Sequence, residues 1–383
     1  MRINGRIVCG LLLLATIAAV SGVISPAQTA QSGETGAWQP THPAVRIEDY
    51  AGPAACAQCH FAEPEKQRTS EMGLALARPA ESRILSEHPD LRFERGPYTY
   101  TLLREGGQTT FTASDAHGKI AEPVFLVVGS GKVFQAYLIQ HGGEFYRVPV
   151  DYFAAQGKLG LDTEADPALP ASLEAALGKP LTAGNVRGCL RCHSPASVIG
   201  DRPDISSLAI SSLTPGIGCE VCHGPGAKHI SAMEAGKPAE TTIFSPAHLL
   251  PQEKSAFCNQ CHTSASKMKE QNPQGVHGVV SPAYRLEGSR CWNATDARLS
   301  CTSCHDPHAP LVRETAAYDG KCLACHAKGS GAPARADQPG KSCPVGQRDC
   351  AGCHMPKVPV PNSPILYTDH RIRIAKAGAP YPE

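Results

Sequence analysis

Alternation of apolar and polar residues is concentrated in one stretch of this chain. Five segments there have strand character: Tyr98–Leu103, Thr109–Thr112, Val124–Val128, Phe134–Ile139 and Phe145–Val150. Gly106-Gly107 and Gly142-Gly143 stand where hairpin turns belong. A small antiparallel β module is therefore expected in the N-terminal half. Two helices flank it in the pattern: Glu63 to Arg78, stopped by Pro79, and a shorter one over Pro170 to Gly178. Beyond about residue 185 the chain is rich in Gly and Pro with few long helical patterns, so short helices and loops are expected there.

The remaining apolar signal is a continuous run, Ile7 to Val20, behind Arg2 and Arg6. With the small residues of Ser25-Pro26-Ala27 it has the form of a secretory signal over residues 1–27, cleaved near Gln28 or after Ala30. The run is short for a membrane span, and a retained N-terminal anchor is the alternative. Most of the apolar run follows Cys9, which is the wrong order for a lipoprotein signal. The mature chain is expected to be exported, to the periplasm or the cell surface, with residues 28–50 as a linker.

Composition changes the picture through one residue pair. The chain has 17 Cys and 16 His, and 14 of the Cys fall in seven copies of Cys-x-x-Cys-His. The cysteine pairs are Cys56 and Cys59, Cys189 and Cys192, Cys219 and Cys222, Cys258 and Cys261, Cys301 and Cys304, Cys322 and Cys325, and Cys350 and Cys353. The histidines that follow are His60, His193, His223, His262, His305, His326 and His354. Chance placement would give on the order of 0.03 such pentapeptides in the whole chain. The motif is the attachment site of c-type haem: two thiols one helical turn apart add to the two vinyl groups, and the His reaches the iron as proximal ligand. Zinc ribbons also use Cys-x-x-Cys, but they need a second ligand pair elsewhere and no His directly after the second Cys. Dithiol oxidoreductases carry one such motif beside a βαβ pattern, not seven. The expected cofactor is haem c, seven copies, covalently held. Cys291 and Cys343 then remain as an isolated pair in an exported chain, and a disulfide between them is expected.

The haems also revise the fold class. Aromatic residues are only 5% of the chain, so buried cofactor must supply apolar surface that side chains do not. The expectation is a multihaem cytochrome c of mainly short helices and loops wrapped around haems, with the small antiparallel β module in its N-terminal half. The first motif begins at Cys56 and the second only at Cys189, which divides the mature chain into 51–185, with one motif and the β module, and 186–383, with six motifs. A formal charge of +1 argues against nucleic acid as partner, and haem propionates would engage many of the 36 Lys and Arg.

An iron that only carries electrons needs a sixth ligand; an enzyme acting at iron leaves one position open. Nine His lie outside the motifs, enough for seven irons. His229, His308 and His370 are the leading candidates. His308, three residues after His305, is too close to cap the same iron but well placed for a neighbouring one. His88 and His277 come next, and Met72 is a further candidate on the expected helix after the first motif. His42, His117, His141 and His248 rank below them, His117 and His141 because Gly neighbours suggest turns.

With these residues in view, the chain resembles the multihaem cytochromes c of the doubled-CxxCH, tetrahaem-cytochrome-like group. The resemblance rests on Tyr50 to Cys56, on Cys219-Glu220-Val221-Cys222-His223-Gly224-Pro225-Gly226 with His229, on Cys301 to His308, and on Cys353-His354-Met355-Pro356-Lys357 with Thr368-Asp369-His370. It implies that His229 and His308 are distal ligands of neighbouring haems. Relatives often carry a further His between the last two segments, and Val358 to Tyr367 has none here. The resemblance implies an electron relay between redox protein partners, such as cytochromes or a quinol-oxidising complex, touching membrane only through partners or a retained anchor. The competing expectation is an oxidoreductase reducing a small nitrogen or sulfur oxyanion at an open haem. A third is a complex subunit docked through its β module.

Overall fold

A computed structural model describes residues 38–40, 46–163, 165–198, 213–237, 242–262, 275–327, 333–335, 338–339, 343, 345–359 and 364–374, the side chains of 275–277, 333–335 and 338–339 excepted. The chain divides into Met1–Ala37 and Trp38–Glu383. The expected signal segment and His42 lie outside the described residues.

Side-chain alternation builds the dominant element. Ten strands form one antiparallel sheet: β1 (Leu76–Ala77), β2 (Asp90–Arg95), β3 (Tyr98–Glu105), β4 (Gln108–Ser114), β5 (Lys119–Val128), β6 (Phe134–His141), β7 (Glu144–Arg147), β8 (Val150–Phe153), β9 (Lys158–Leu161) and β10 (Lys179–Leu181). The spatial order runs β10-β7-β6-β5-β4-β3-β2, with β1 on β5 and with β8 joining β6 to β9. Strands β2 to β7 are a meander, each paired with the next. Strand β9 comes back close to β2, so the sheet curls around its own interior. That interior is a side-chain core: Tyr98, Tyr100 and Leu102 of β3, Phe111 and Ala113 of β4, and Tyr137 and Ile139 of β6 are all buried in it. Each lies two residues from the next on its strand, the period that places side chains on one face.

This sheet, running from Leu76 to Leu181, corrects the expectation of a mainly short-helical fold with only a small β module. The extra strands carry weak apolar signals. Strand β2 (Asp-Leu-Arg-Phe-Glu-Arg) alternates, but only Leu91 and Phe93 face inward among four charges. The expected helix from Glu63 to Arg78 is also shorter: α2 spans Ala62–Thr69, and a turn then leads into β1. Gly73 in that turn lies so close to the Gln67 carbonyl that a Cβ there would stand 2.0 Å from its oxygen. The expected helix over Pro170–Gly178 is a single 3₁₀ turn, Ala175–Leu177.

A second apolar layer forms on the outer face of the sheet. Leu76, Leu126, Leu138 and Phe145 pack against Val186 and Leu190, one helical turn apart on α4 (Ala183–His193). A capping box opens α4: Thr182 Oγ1 accepts the N–H of Asn185, whose Oδ1 accepts the N–H of Thr182. Helix α4 ends on the second motif, so the sheet carries that motif on its back.

The other helices are short: α1 (Pro53–Cys56), α3 (Arg83–Glu87), α5 (Cys219–His223), α6 (Ala227–Glu234), α7 (Pro251–Cys258), α8 (Pro282–Glu287), α9 (Cys301–Cys304), α10 (Asp319–His326) and α11 (Cys350–His354). A small hairpin pairs Lys357–Pro359 with Leu366–Thr368. Among the described residues no helix is long and apolar enough to cross a membrane.

Candidate functional site

Every motif lies on or against a helical turn. The turn is complete within α4, α5, α10 and α11, which run through Cys, Cys and His. Helices α1 and α7 end on the first Cys, and α9 ends on the second. There the N–H groups of His60, His262 and His305 each donate to the carbonyl of the first Cys at 3.0 Å. A spacing of three residues on such a turn sets both sulfurs on one face, with the His beside them.

In the first and last motifs the two cysteines differ in exposure. In the first motif Cys59 lies past the end of α1, where its N–H donates to the Cys56 carbonyl at 3.2 Å. Its side chain is exposed, while that of Cys56 is partly buried. In the sixth motif Cys322, Cys325 and His326 all lie on α10, and both cysteines are partly buried. Cys189, Cys222 and Cys304 are likewise partly buried, whereas Cys353 is exposed.

The histidine rings are paired across the chain. His223 and His308 stand with ring centroids 6.0 Å apart and planes only 6° from parallel. His60 and His229 are 6.4 Å apart, and His305 and His370 6.2 Å. Two imidazoles bound to opposite sides of one metal, each through a bond of about 2.0–2.1 Å, place their centroids about 6.4 Å apart. The three separations therefore fit one iron between each pair. Direct ring packing would bring parallel rings closer.

Hydrogen bonds orient these rings as metal ligands need. The Nδ1 atoms of His193, His223, His354 and His370 contact the carbonyl oxygens of Ala75, Phe244, Arg373 and Thr368 at 2.6–3.0 Å. Nδ1 of His229 contacts Thr242 Oγ1 at 3.3 Å. An Nδ1–H donated to a carbonyl fixes the tautomer that presents a bare Nε2. Burial holds His193, His223, His262, His305 and His370 below the ordinary histidine pKa, so they are neutral donors at neutral pH. Haem c fits this donor set.

Motif cysteines also meet across the sequence: Cys56 with Cys219, Cys192 with Cys261, Cys258 with Cys301, and Cys322 with Cys350. Among the described residues no three His, Cys, Asp or Glu side chains converge on a point. A zinc ribbon needs four in a tetrahedral cage.

The remaining candidates are placed otherwise. His88 Nε2 meets Tyr152 Oη at 3.1 Å on the β module. His141 Nδ1 meets Glu122 Oε1 at 2.7 Å at the end of β6. His117 sits in the turn between β4 and β5, where Asp115 accepts its backbone N–H. His248 is exposed on a 3₁₀ turn. Met72 is half-buried in the turn after α2, and its carbonyl accepts the N–H of Ile217 at 3.0 Å. The side chain of His277 lies outside the described residues. No ring stands opposite His193, His262 or His354 among the described residues. Cys343 is exposed and Cys291 partly buried, with no disulfide between them.

The sequence marks Asp369 as the neighbour of His370 without revealing its partner, and it gives no sign of the role of Glu220. Glu220, inside the third motif, is buried and accepts three backbone N–H groups. Asp369, beside His370, is fully buried against Arg285.

The Cytochrome c554 and c-prime family matches residues 170–224, which include the second and third motifs. The multiheme cytochrome MtrA of Shewanella baltica (strain OS185) is 25% identical over 204 residues, covering 49% of this chain and 52% of MtrA. The chain thus spans about half the length of the curated relative it matches. The crystal structure of the outer cell wall cytochrome OcwA aligns over 85% of this chain and 80% of its own, at 14% identity and a TM-score of 0.38. Over the matched segments the chain is similar to multihaem c-type cytochromes.

Proposed function

We propose that this chain is an exported c-type cytochrome with one haem on each of its seven motifs, relaying electrons between redox protein partners. Haem c bound there supplies one-electron chemistry at its iron. The chain's own residues do the holding. Each motif offers two thiols for the covalent attachment and a His for the iron. His229 faces His60, His308 faces His223 and His370 faces His305, so each pair would hold one haem iron between distant parts of the chain. His277, His42, His248 and Met72 are the candidates for the other four. His88, engaged by Tyr152, serves the β module instead.

The parallel pair His223–His308 carries this reading, because its rings stand at the spacing that two ligands of one metal would have. The apolar run at Ile7–Val20 supports export to the periplasm or the cell surface, where haem is attached. Cytochromes or a quinol-oxidising complex fit as partners. We assign residues 51–185 and 186–383 as the two working parts, with α4 (Ala183–His193) spanning their boundary.

A second reading is kept by one observation: Val358 to Tyr367 contains no His, which favours an open iron and reduction of a nitrogen or sulfur oxyanion there. Low-temperature EPR with visible spectroscopy of the purified ferric protein separates the two. Seven low-spin six-coordinate haems are expected for the relay. A high-spin signal that shifts with nitrite or sulfite would replace it with the enzyme.

A further inference from the structure

Glu220 occupies a variable position of the third motif, yet it is only 8% exposed and its carboxylate is fully engaged with backbone. Oε1 accepts the N–H of Ala51 at 2.7 Å and that of Gly226 at 2.7 Å, while Oε2 accepts the N–H of Gly52 at 2.8 Å. These donors lie on two separate segments. Ala51 and Gly52 lead into α1 and the first motif, with Gly52 as the N-cap residue of α1. Gly52 has φ +81° and ψ 158°, a conformation essentially confined to glycine, and in it the N–H turns toward the carboxylate. Gly226 is the N-cap residue of α6, whose third helical residue is His229.

One side chain thus grips the start of the helix that leads to His60 and the start of the helix that carries His229. Those are the two rings that stand 6.4 Å apart. Neither helix has a side-chain cap of its own, so Glu220 supplies the fixed acceptor at both starts. Charge-assisted hydrogen bonds to N–H groups are short and directional, and three of them on one carboxylate leave little freedom to shift. Trp38 closes the third motif from outside by donating its Nε1–H to the Val221 carbonyl at 2.7 Å.

We infer that Glu220 is a positioning residue for the first-motif iron: it sets His229 opposite His60, so the sixth ligand of one haem is held by a side chain in another haem's motif. This rests on the ligand assignment proposed above.

The test uses the purified holoprotein and three variants: Glu220→Gln, Glu220→Asp and His229→Ala. Glutamine keeps the size but turns an N–H₂ toward one of the three donors; aspartate keeps the charge but withdraws it by one methylene. Intact mass reports haem attachment, EPR reports spin state, and spectroelectrochemistry reports potentials. The expected result is that Glu220→Gln keeps every haem increment of the parent protein but shows one haem changed to high spin or shifted in potential. That haem matches the one altered in His229→Ala, and added imidazole returns it to low spin. Glu220→Asp is expected to show the same change in a smaller fraction of molecules, and it decides the matter if the glutamine variant fails to mature. A Glu220 variant that only melts earlier, with all haems low-spin and potentials unchanged, overturns the inference while His229→Ala still shows a high-spin haem. If His229→Ala itself leaves every haem low-spin, the ligand assignment beneath it fails instead.

Discussion

Arg285 and Asp369 form a two-pronged ion pair in the interior. Nε donates to Oδ1 at 2.7 Å and Nη2 donates to Oδ2 at 2.8 Å, with side chains 7% and 0% exposed. The pair joins α8 to the segment that carries His370. The same aspartate donates its N–H to the Pro356 carbonyl at 2.9 Å and accepts the N–H of Arg371 at 3.0 Å. His370 is therefore bracketed on both sides. Removing the carboxylate breaks this buried ion pair, which costs about 3–5 kcal/mol. Denaturant unfolding of Asp369→Ala should show that loss, together with a high-spin fraction as His370 loosens. Unchanged stability would leave Asp369 without this role.

His308 follows its own motif by three residues but faces the His of another. His308→Ala is expected to keep all covalent haem and turn one haem high-spin. His88→Ala is the contrast. It removes a hydrogen-bond partner from Tyr152, which costs about 1 kcal/mol, and leaves every haem spectrum unchanged. EPR of the two variants side by side checks both statements, and the reverse pattern would refute them.

Leu190 is 1% exposed and presses the second-motif helix onto the sheet. Leu190→Ala is expected to cost about 2–5 kcal/mol in denaturant unfolding, because a buried cavity replaces the side chain. A loss below about 1 kcal/mol would mean that this layer does not hold the motif.

Glu71 ties the turn after α2 to two other segments. Its Oε2 accepts the N–H of Leu311 at 2.9 Å, and its Oε1 faces Lys132 at 3.5 Å and Arg313 at 3.4 Å. Burial acts to raise its pKa, but the N–H of Leu311, its own N–H and the two cations outweigh burial and hold the carboxyl below the ordinary glutamate value. A folded pKa below the unfolded one means stabilisation that is complete above about pH 4.3 and lost as the pH falls through the folded value. Unfolding curves of the parent protein and Glu71→Gln should differ at neutral pH and converge in acid. A difference that persists unchanged into acid would exclude this role for the carboxylate.

The sequence exposes the parts of this molecule that repeat or alternate. The motifs are legible because five residues define them, and the central strands because Tyr98, Tyr100 and Leu102 or Phe111 and Ala113 recur at period two. Strand β2 is hidden by its charges. The helix expected past Thr69 is hidden by a backbone approach at Gly73 that no local pattern announces. The ring pairs are the deepest case. His60 meets His229 and His305 meets His370 across long stretches of chain, so each partnership exists only once the short helices are packed. Glu220 and Asp369, which arrange two of those meetings, resemble ordinary surface acids until their hydrogen bonds are seen.

Covalent haem on all seven motifs, from Cys56 and Cys59 to Cys350 and Cys353, underlies every ligand assignment above. Intact mass of the protein, matured where haem is attached and measured under denaturing conditions, decides it. One species heavier than the processed polypeptide by seven haems is expected. A uniform species with fewer haems, or one that loses its cofactor on denaturation, would refute the seven-haem reading.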